Sequence, residues 1–366
     1  MDEKKIRNFI ILIPVLCGAA FLLCGTLVYR VDPFFHYHAP LPDFPYVIDN
    51  QLTQNPGMAV HMDYDSVILG SSMTVNFETD DFRELLGLNT LKLSYSSAYP
   101  RDIRNILEKI YEPRKDGSVR EVRKVFLGLD IVTYSGDIDE TKYPLPEYLY
   151  DKNVLNDVNY LLNKDVLLDY VLRPMADPEP LNLSHIYASW WTDEYYTEEW
   201  VLRGHEFPER VTEEMAPDAF REPIAENLKV NIIPFIEEHP ETEFVIFFPP
   251  YSILFWDNVL RENHLEATFD AYRTVEEALD GYENVTMYYF PAEEGIVTDL
   301  NTYADYTHYH PRINRFMTEC FSDGTDRIAK KGEEGTHMEE YLGEMRRIVA
   351  SYDFDSLEER WKRYHG

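Results

Sequence analysis

The stretch Asp65–Phe77, DSVILGSSMTVNF, is the one on which the fold turns. An acidic residue leads into the short, mostly apolar run Ser66–Leu69, which stops on Gly70-Ser71-Ser72 before a segment able to open a helix. A short apolar run bounded by turn residues reads as a strand buried on both faces. A glycine and two serines at its end admit two readings. One is a tight turn. The other is a nucleophile held at the carboxyl edge of a sheet.

The same beat recurs along the chain. Strands are expected at 66–70, at 90–94 (TLKLS), at 122–131 (VRKVFLGLDI), at 242–250 (TEFVIFFPP) and at 285–290 (VTMYYF). Helical patterns fill the intervals at 100–112, 220–240 and 263–282. Such alternation predicts an α/β fold of flavodoxin-like type, three layers α/β/α around a mainly parallel five-stranded sheet. The interval 132–218 breaks the beat and reads as a mostly helical insertion. It contains the leucine-rich segment 153–172 and the aromatic segment 186–200. In the latter, Trp190, Trp191, Tyr195, Tyr196 and Trp200 could stack on sugar rings, but packing of the insertion onto the main domain is the reading we favour. The tail 326–366 predicts a charged amphipathic helix near MEEYLGEMRRIVASY.

One segment precedes this domain. The uncharged run Phe9–Tyr29 is long enough to cross about 30 Å of hydrocarbon as a helix. Lys4, Lys5 and Arg7 lie on its short N-terminal side. The positive-inside rule then predicts a single-pass cell-membrane protein with a cytoplasmic N-terminus and an extracytoplasmic domain. Residues 31–62, rich in Pro and aromatics without a clear period, read as an extended stalk, leaving 63–325 as the main domain.

The net charge of −32 argues against a nucleic-acid partner, because a phosphate backbone needs Lys and Arg to meet it. Cys17 and Cys24 fall in the anchor and Cys320 stands alone outside it, so no disulfide is expected. No His/Cys spacing suggests a metal ligand set, and neither metal nor other cofactor is expected.

In an open parallel sheet, ligands bind beyond the carboxyl ends of the strands. The residues there are Gly70-Ser71-Ser72, Ser96 and Ser97, Asp130, and Tyr251 with Ser252. A serine nucleophile also needs a base and a group to orient it. Beyond the last strand, DLNTYADYTHYHPRINRF supplies Asp305 and His308, three apart. On a turn entering a helix, that carboxylate can hold the imidazole Nδ1–H and leave Nε2 for a serine hydroxyl. Ser71 reads as a cap of the following turn and Ser72 as the nucleophile.

With these blocks at its two ends, the stretch 62–320 resembles the GDSL/SGNH hydrolases. Their nucleophilic serine closes a Gly-x-Ser block after the first strand, and an Asp-x-x-His block lies near the C-terminus. The anchor, the Gly-Ser-Ser block and the long insertion resemble the membrane-anchored branch that accompanies membrane-bound O-acyltransferases. That branch includes the D-alanyl-transfer protein of teichoic acid modification and the alginate acetylation proteins. The resemblance implies Ser72, His308 and Asp305 as the catalytic set. It implies Gly70, Ser96, Ser97, Asp130, Tyr251 and Ser252 as oxyanion or substrate-binding positions. It further implies serine-dependent acyl transfer to a cell-envelope polysaccharide or teichoic-acid-like polymer, with a membrane-bound O-acyltransferase as partner. An esterase of the same fold, or a non-catalytic scaffold, are the alternatives. Two departures stand out. A serine, Ser97 or Ser96, occupies the place of the family's second-block glycine. Asp130 stands where an asparagine would reach the oxyanion, and a carboxylate donates no hydrogen bond unless protonated.

Overall fold

In the computed structural model, which describes residues 3–113, 117–188 and 192–365, the five expected strands all form and all run parallel. They are β1 (Ser66–Leu69), β2 (Thr90–Lys92), β3 (Lys124–Gly128), β4 (Glu243–Phe248) and β5 (Val285–Tyr289). Their order is β2-β1-β3-β4-β5, that of a flavodoxin-like doubly wound sheet. Register is continuous across it: Val67 pairs with Leu91 and Val125, Val125 with Phe244, and Phe244 with Val285.

Alternation along the strands sends neighbouring side chains to opposite helical layers. Phe126, Phe247 and Tyr288 point to one face, where each ring meets Phe321 of the helix Pro311–Asp323 at 5.3, 5.3 and 5.1 Å. Phe82 of the helix Thr79–Leu86 packs on Phe126 from the same side, at 4.8 Å. The next residues along, Phe248 and Tyr289, turn to the other face and meet Tyr272 of the helix Leu265–Leu279 at 5.0 and 5.1 Å. The sheet is thus covered by helices on both sides, as a parallel sheet of apolar strands requires.

The chain divides into two compact units. One comprises Tyr64–Leu107, Pro113–Tyr143 and Leu183–Gly366 and holds the sheet; the other comprises Met1–Asp63, Glu108–Glu112 and Pro144–Asn182. The insertion expected over 132–218 is therefore shared between them. In the second unit the helix Glu3–Val31 includes Ile10–Val31, 22 residues, long and apolar enough to cross a membrane.

Residues 31–62, expected to be extended, are folded. Asp32, buried at the end of the long helix, accepts the backbone N–H groups of His36, Tyr37 and His38 at 3.0, 2.7 and 3.0 Å. It also accepts the Tyr160 hydroxyl at 2.9 Å. The helix Gln51–His61 follows, capped by Asn50, and a Cβ at its Gly57 would lie 2.0 Å from the Phe34 carbonyl oxygen. A close approach of this kind leaves no periodic trace in sequence.

The leucine-rich segment also departs from one continuous helix. It is broken into Val158–Leu161, a π-helical stretch Val166–Leu172, and Arg173–Ala176. The Asn163 side chain accepts the N–H of Asp165 at 2.9 Å, offering the backbone a local alternative to the helical ladder. The helical pattern at 220–240 splits likewise, into Arg221–Asn231 and Ile233–Glu238, at Pro234 in the first turn of the second helix.

Phe321 is the ring shared by three strands. Replacing Phe321 by Ala should cost about 3–5 kcal/mol, read as a lowered unfolding midpoint in near-ultraviolet circular dichroism.

Candidate active site

The carboxyl end of β1 turns at Gly70, whose φ of +144° favours glycine. A Cβ there would lie 2.6 Å from Thr74 Cγ2 and 3.0 Å from the Gly128 carbonyl oxygen. The turn therefore presses against the end of β3. Ser71 caps the short 3₁₀ turn Ser72–Thr74, its Oγ accepting the Met73 N–H at 3.2 Å. Ser71 is buried, whereas Ser72 keeps partial access to solvent.

The opposing group comes from the loop after β5. Asp305 closes a local turn by accepting the N–H groups of Thr307 and His308 on Oδ1, at 2.8 and 2.7 Å. Its Oδ2 lies 2.7 Å from His308 Nδ1. His308 Nε2 then lies 2.7 Å from Ser72 Oγ. Residues 236 positions apart in the chain thus meet in one Ser-His-Asp array. Burial alone would raise the Asp305 carboxyl, but the hydrogen bonds and charge of His308, with the Thr307 N–H, outweigh it and hold it at about 2. Asp305 is therefore ionised wherever the chain works near neutral pH, as an orienting carboxylate must be.

The loop is bolted from two sides. Tyr303 donates its hydroxyl to the Pro250 carbonyl at 2.7 Å, just past β4. Tyr309, the residue after His308, donates to the Met73 carbonyl at 2.9 Å, inside the turn that carries Ser72. From β2, the fully buried Lys92 donates to the Val75 carbonyl at 2.8 Å; burial pulls its ammonium down to about 7. Sequence reasoning missed Tyr309 and Lys92. For Lys92 a signal existed, a lone charge amid the apolar run TLKLS; for Tyr309 none did, because its partner is a carbonyl far away in the chain.

The remaining expected positions separate. Asp130 is buried just past β3 and accepts the hydroxyls of Tyr251 and Ser71. Burial raises its carboxyl, and those two hydrogen bonds with the nearby His308 offset the rise only in part. The orientation of His308 falls to Asp305, and Asp130 instead organises two hydroxyls behind the serines. Tyr251 is likewise buried against Asp130.

Ser252, expected among the substrate-binding groups, is not one of them. It is fully buried, accepts the Leu254 N–H at 3.2 Å as a helix cap, and donates to the Tyr306 carbonyl at 2.7 Å. Its hydroxyl ties the end of β4 to the Asp305–His308 loop.

Ser96 and Ser97 form the middle of a turn closed by Ala98 N–H to the Tyr95 carbonyl at 2.8 Å. That turn hangs beside the site through Tyr95 N–H to the Gly70 carbonyl at 2.9 Å. Ser97 holds φ +58°, a conformation that favours glycine.

Of the aromatic insertion residues, Trp190 and Trp191 lie outside the described residues. Tyr196 is buried with its ring 4.6 Å from that of His310. Tyr195 packs on Trp200 at 4.5 Å, and Trp200 stays 46% exposed. A cleft of about 860 Å³ also opens in this unit, walled in part by Ile131, which follows Asp130, and by Phe255, Val259 and Tyr306.

No protein-family model matches the chain, and no curated protein matches it. A solved structure that does match is described as "a putative platelet activating factor from Streptococcus pneumonia". It is 12% identical, with 84% of this chain and 98% of that one covered at a TM-score of 0.38.

Two outcomes check this geometry. Gly70→Ala should cost about 1–3 kcal/mol of stability and displace the Ser72 turn, read by thermal unfolding and by loss of serine reactivity. Because the Asp305 pKa is lowered in the folded chain, its contribution to stability is full above the ordinary Asp range and is lost as pH falls towards about 2. The stability difference between the native chain and Asp305→Asn should therefore shrink over that acid window, measured by unfolding at a series of pH values.

Proposed function

We propose that the chain is an SGNH-like, membrane-anchored acyl-handling enzyme that works outside the membrane. On this reading it moves an acyl group to a hydroxyl of a cell-envelope polysaccharide. The observation that carries the reading is the unbroken pair of 2.7 Å contacts, Ser72 Oγ to His308 Nε2 and His308 Nδ1 to Asp305.

Ser72 attacks the ester carbonyl and passes its proton to His308 Nε2. The C–O bond to the leaving alcohol breaks, and His308 returns that proton to the alcohol. The acyl group is then held on Ser72 as an ester. An acceptor hydroxyl repeats the sequence in reverse, giving its proton to His308, and Ser72 leaves with it. Asp305 stays ionised throughout and steadies the imidazolium. The backbone N–H groups of Ser72 and of the left-handed Ser97 turn are the donors we assign to the oxyanion. Removing one such donor typically costs about 2.7–4 kcal/mol in the barrier.

Two features support a carbohydrate acceptor and a membrane setting. The exposed Trp200 ring sits in a segment joined to the site by Asp193, which lies 3.2 Å from His310 Nε2. A flat exposed aromatic suits the apolar face of a sugar. Ile10–Val31 supplies an anchor, and the basic residues before it suit a cytoplasmic N-terminus, with a membrane-bound O-acyltransferase as the acyl donor. Water in place of the acceptor would give plain ester hydrolysis by the same steps.

The test is intact-mass labelling with a fluorophosphonate. The native chain should label once, and Ser72→Ala should not; absence of labelling in both would overturn the reading. Product analysis with an acyl ester and an oligosaccharide then separates transfer from hydrolysis, since release of free acid alone would leave an esterase. Trp200→Ala should keep fluorophosphonate labelling and raise the acceptor KM by up to about tenfold, in line with the worth of one aromatic contact.

A further inference from the structure

The leucine-rich segment of the insertion has no part in the proposed chemistry, yet it presents an unusual surface. Leu155 is 84% exposed, Val154 75% and Met175 61%, and Val158, Leu162, Leu168 and Leu172 are exposed as well. These are not failed core positions. Tyr160, Val166 and Val171 of the same segment are buried, so its inward face is already filled. Seven exposed apolar residues thus fall within Val154–Met175, spread over its short helical pieces and the turns between them. Apolar surface grouped in this way marks an interaction site.

The segment packs on the long N-terminal helix: a Cβ at Gly25 would lie 3.4 Å from Leu162 Cδ2 and 3.9 Å from Leu161 Cβ. Ile10–Val31, at about 1.5 Å per residue, is about 33 Å long, against about 30 Å of hydrocarbon. Gly25 stands six residues before Val31, about 9 Å inside the outer end of that span. If the helix crosses a bilayer, Leu162 is carried below the headgroups.

We propose that Val154–Met175 is an interfacial membrane element, its exposed apolar residues among the acyl chains of the leaflet from which the anchor emerges. Lys164, Asp165 and Asp169, which are exposed in the same segment, lie at the headgroup level. The inference rests on the reading of Ile10–Val31 as a membrane span. The N-terminal unit is then held to the bilayer by two apolar surfaces instead of one.

The test uses the full chain with Cys17 and Cys24 changed to Ser and the buried Cys320 kept as the unlabelled background, reconstituted in phosphatidylcholine/phosphatidylglycerol vesicles. An environment-sensitive fluorophore is placed singly at Leu155→Cys, Leu162→Cys, Leu16→Cys in the anchor, or Glu334→Cys on the sheet unit. Leu155 and Glu334 are exposed, so their substitution leaves the core intact. Labels at 155 and 162 should emit to the blue, be quenched by doxyl-labelled lipid and resist iodide, like the label at 16 and unlike the one at 334. Iodide quenching at 155 and 162 with lipid quenching at 16 would overturn the inference and leave the span standing. Iodide quenching at 16 would overturn the span itself. Shielding of 155 and 162 from both quenchers would overturn lipid contact in favour of a protein partner or second copy.

Discussion

Parallel pairing of five short, buried strands is the constraint on which the site depends. Because every strand runs the same way, every carboxyl end reaches one edge, and groups far apart in the chain are delivered to it together. β1 brings Ser72, β2 the Ser96–Ser97 turn, β3 Asp130, β4 Tyr251 and Ser252, and the loop after β5 brings Asp305 and His308. Strand edges alone would place these groups only roughly. The tight contact of Gly70 with Thr74 and the Gly128 carbonyl removes the slack at Ser72.

The second layer of precision comes from neutral hydroxyls donating to carbonyls. Tyr309 to Met73, Tyr303 to Pro250 and Ser252 to Tyr306 lash the histidine loop to the ends of β1 and β4. Each such bond contributes only about 1 kcal/mol net. Their value is geometric, since a base must stay within hydrogen-bond reach of the hydroxyl it deprotonates. Asp130 fits this scheme as a buried acceptor for Ser71 and Tyr251. Its part in the structure is thus positional, a buried carboxyl that fixes two hydroxyls.

Much of this was legible in sequence. The five apolar runs are near-continuous because both faces of the sheet are buried, and that pattern predicts strands whatever the tertiary detail. The Gly-Ser-Ser end of β1 and the Asp-x-x-His spacing are local, and their local consequences, a glycine-dependent turn and a carboxylate closing on its own histidine, followed from sequence alone. Ser97 was legible in part: a serine where a glycine was expected, now seen at positive φ.

What the sequence by itself determined, then, is the set of elements whose hydrogen bonding or hydrophobic period is short-range: the strands, most of the helices around them, the long apolar N-terminal helix, and the two halves of the candidate site. Tertiary structure alone decided how distant groups share a bond or a surface. The 2.7 Å contact of Ser72 with His308 spans 236 positions. Asp32 draws in Tyr160 from 128 positions away and folds what reads as a stalk. Ser252 became a cap, and the leucine-rich segment was broken at Asn163 and laid along the long N-terminal helix at Gly25. Periodicity records which face of an element is apolar but not which partner will cover it, because that depends on where the rest of the chain has been brought in space.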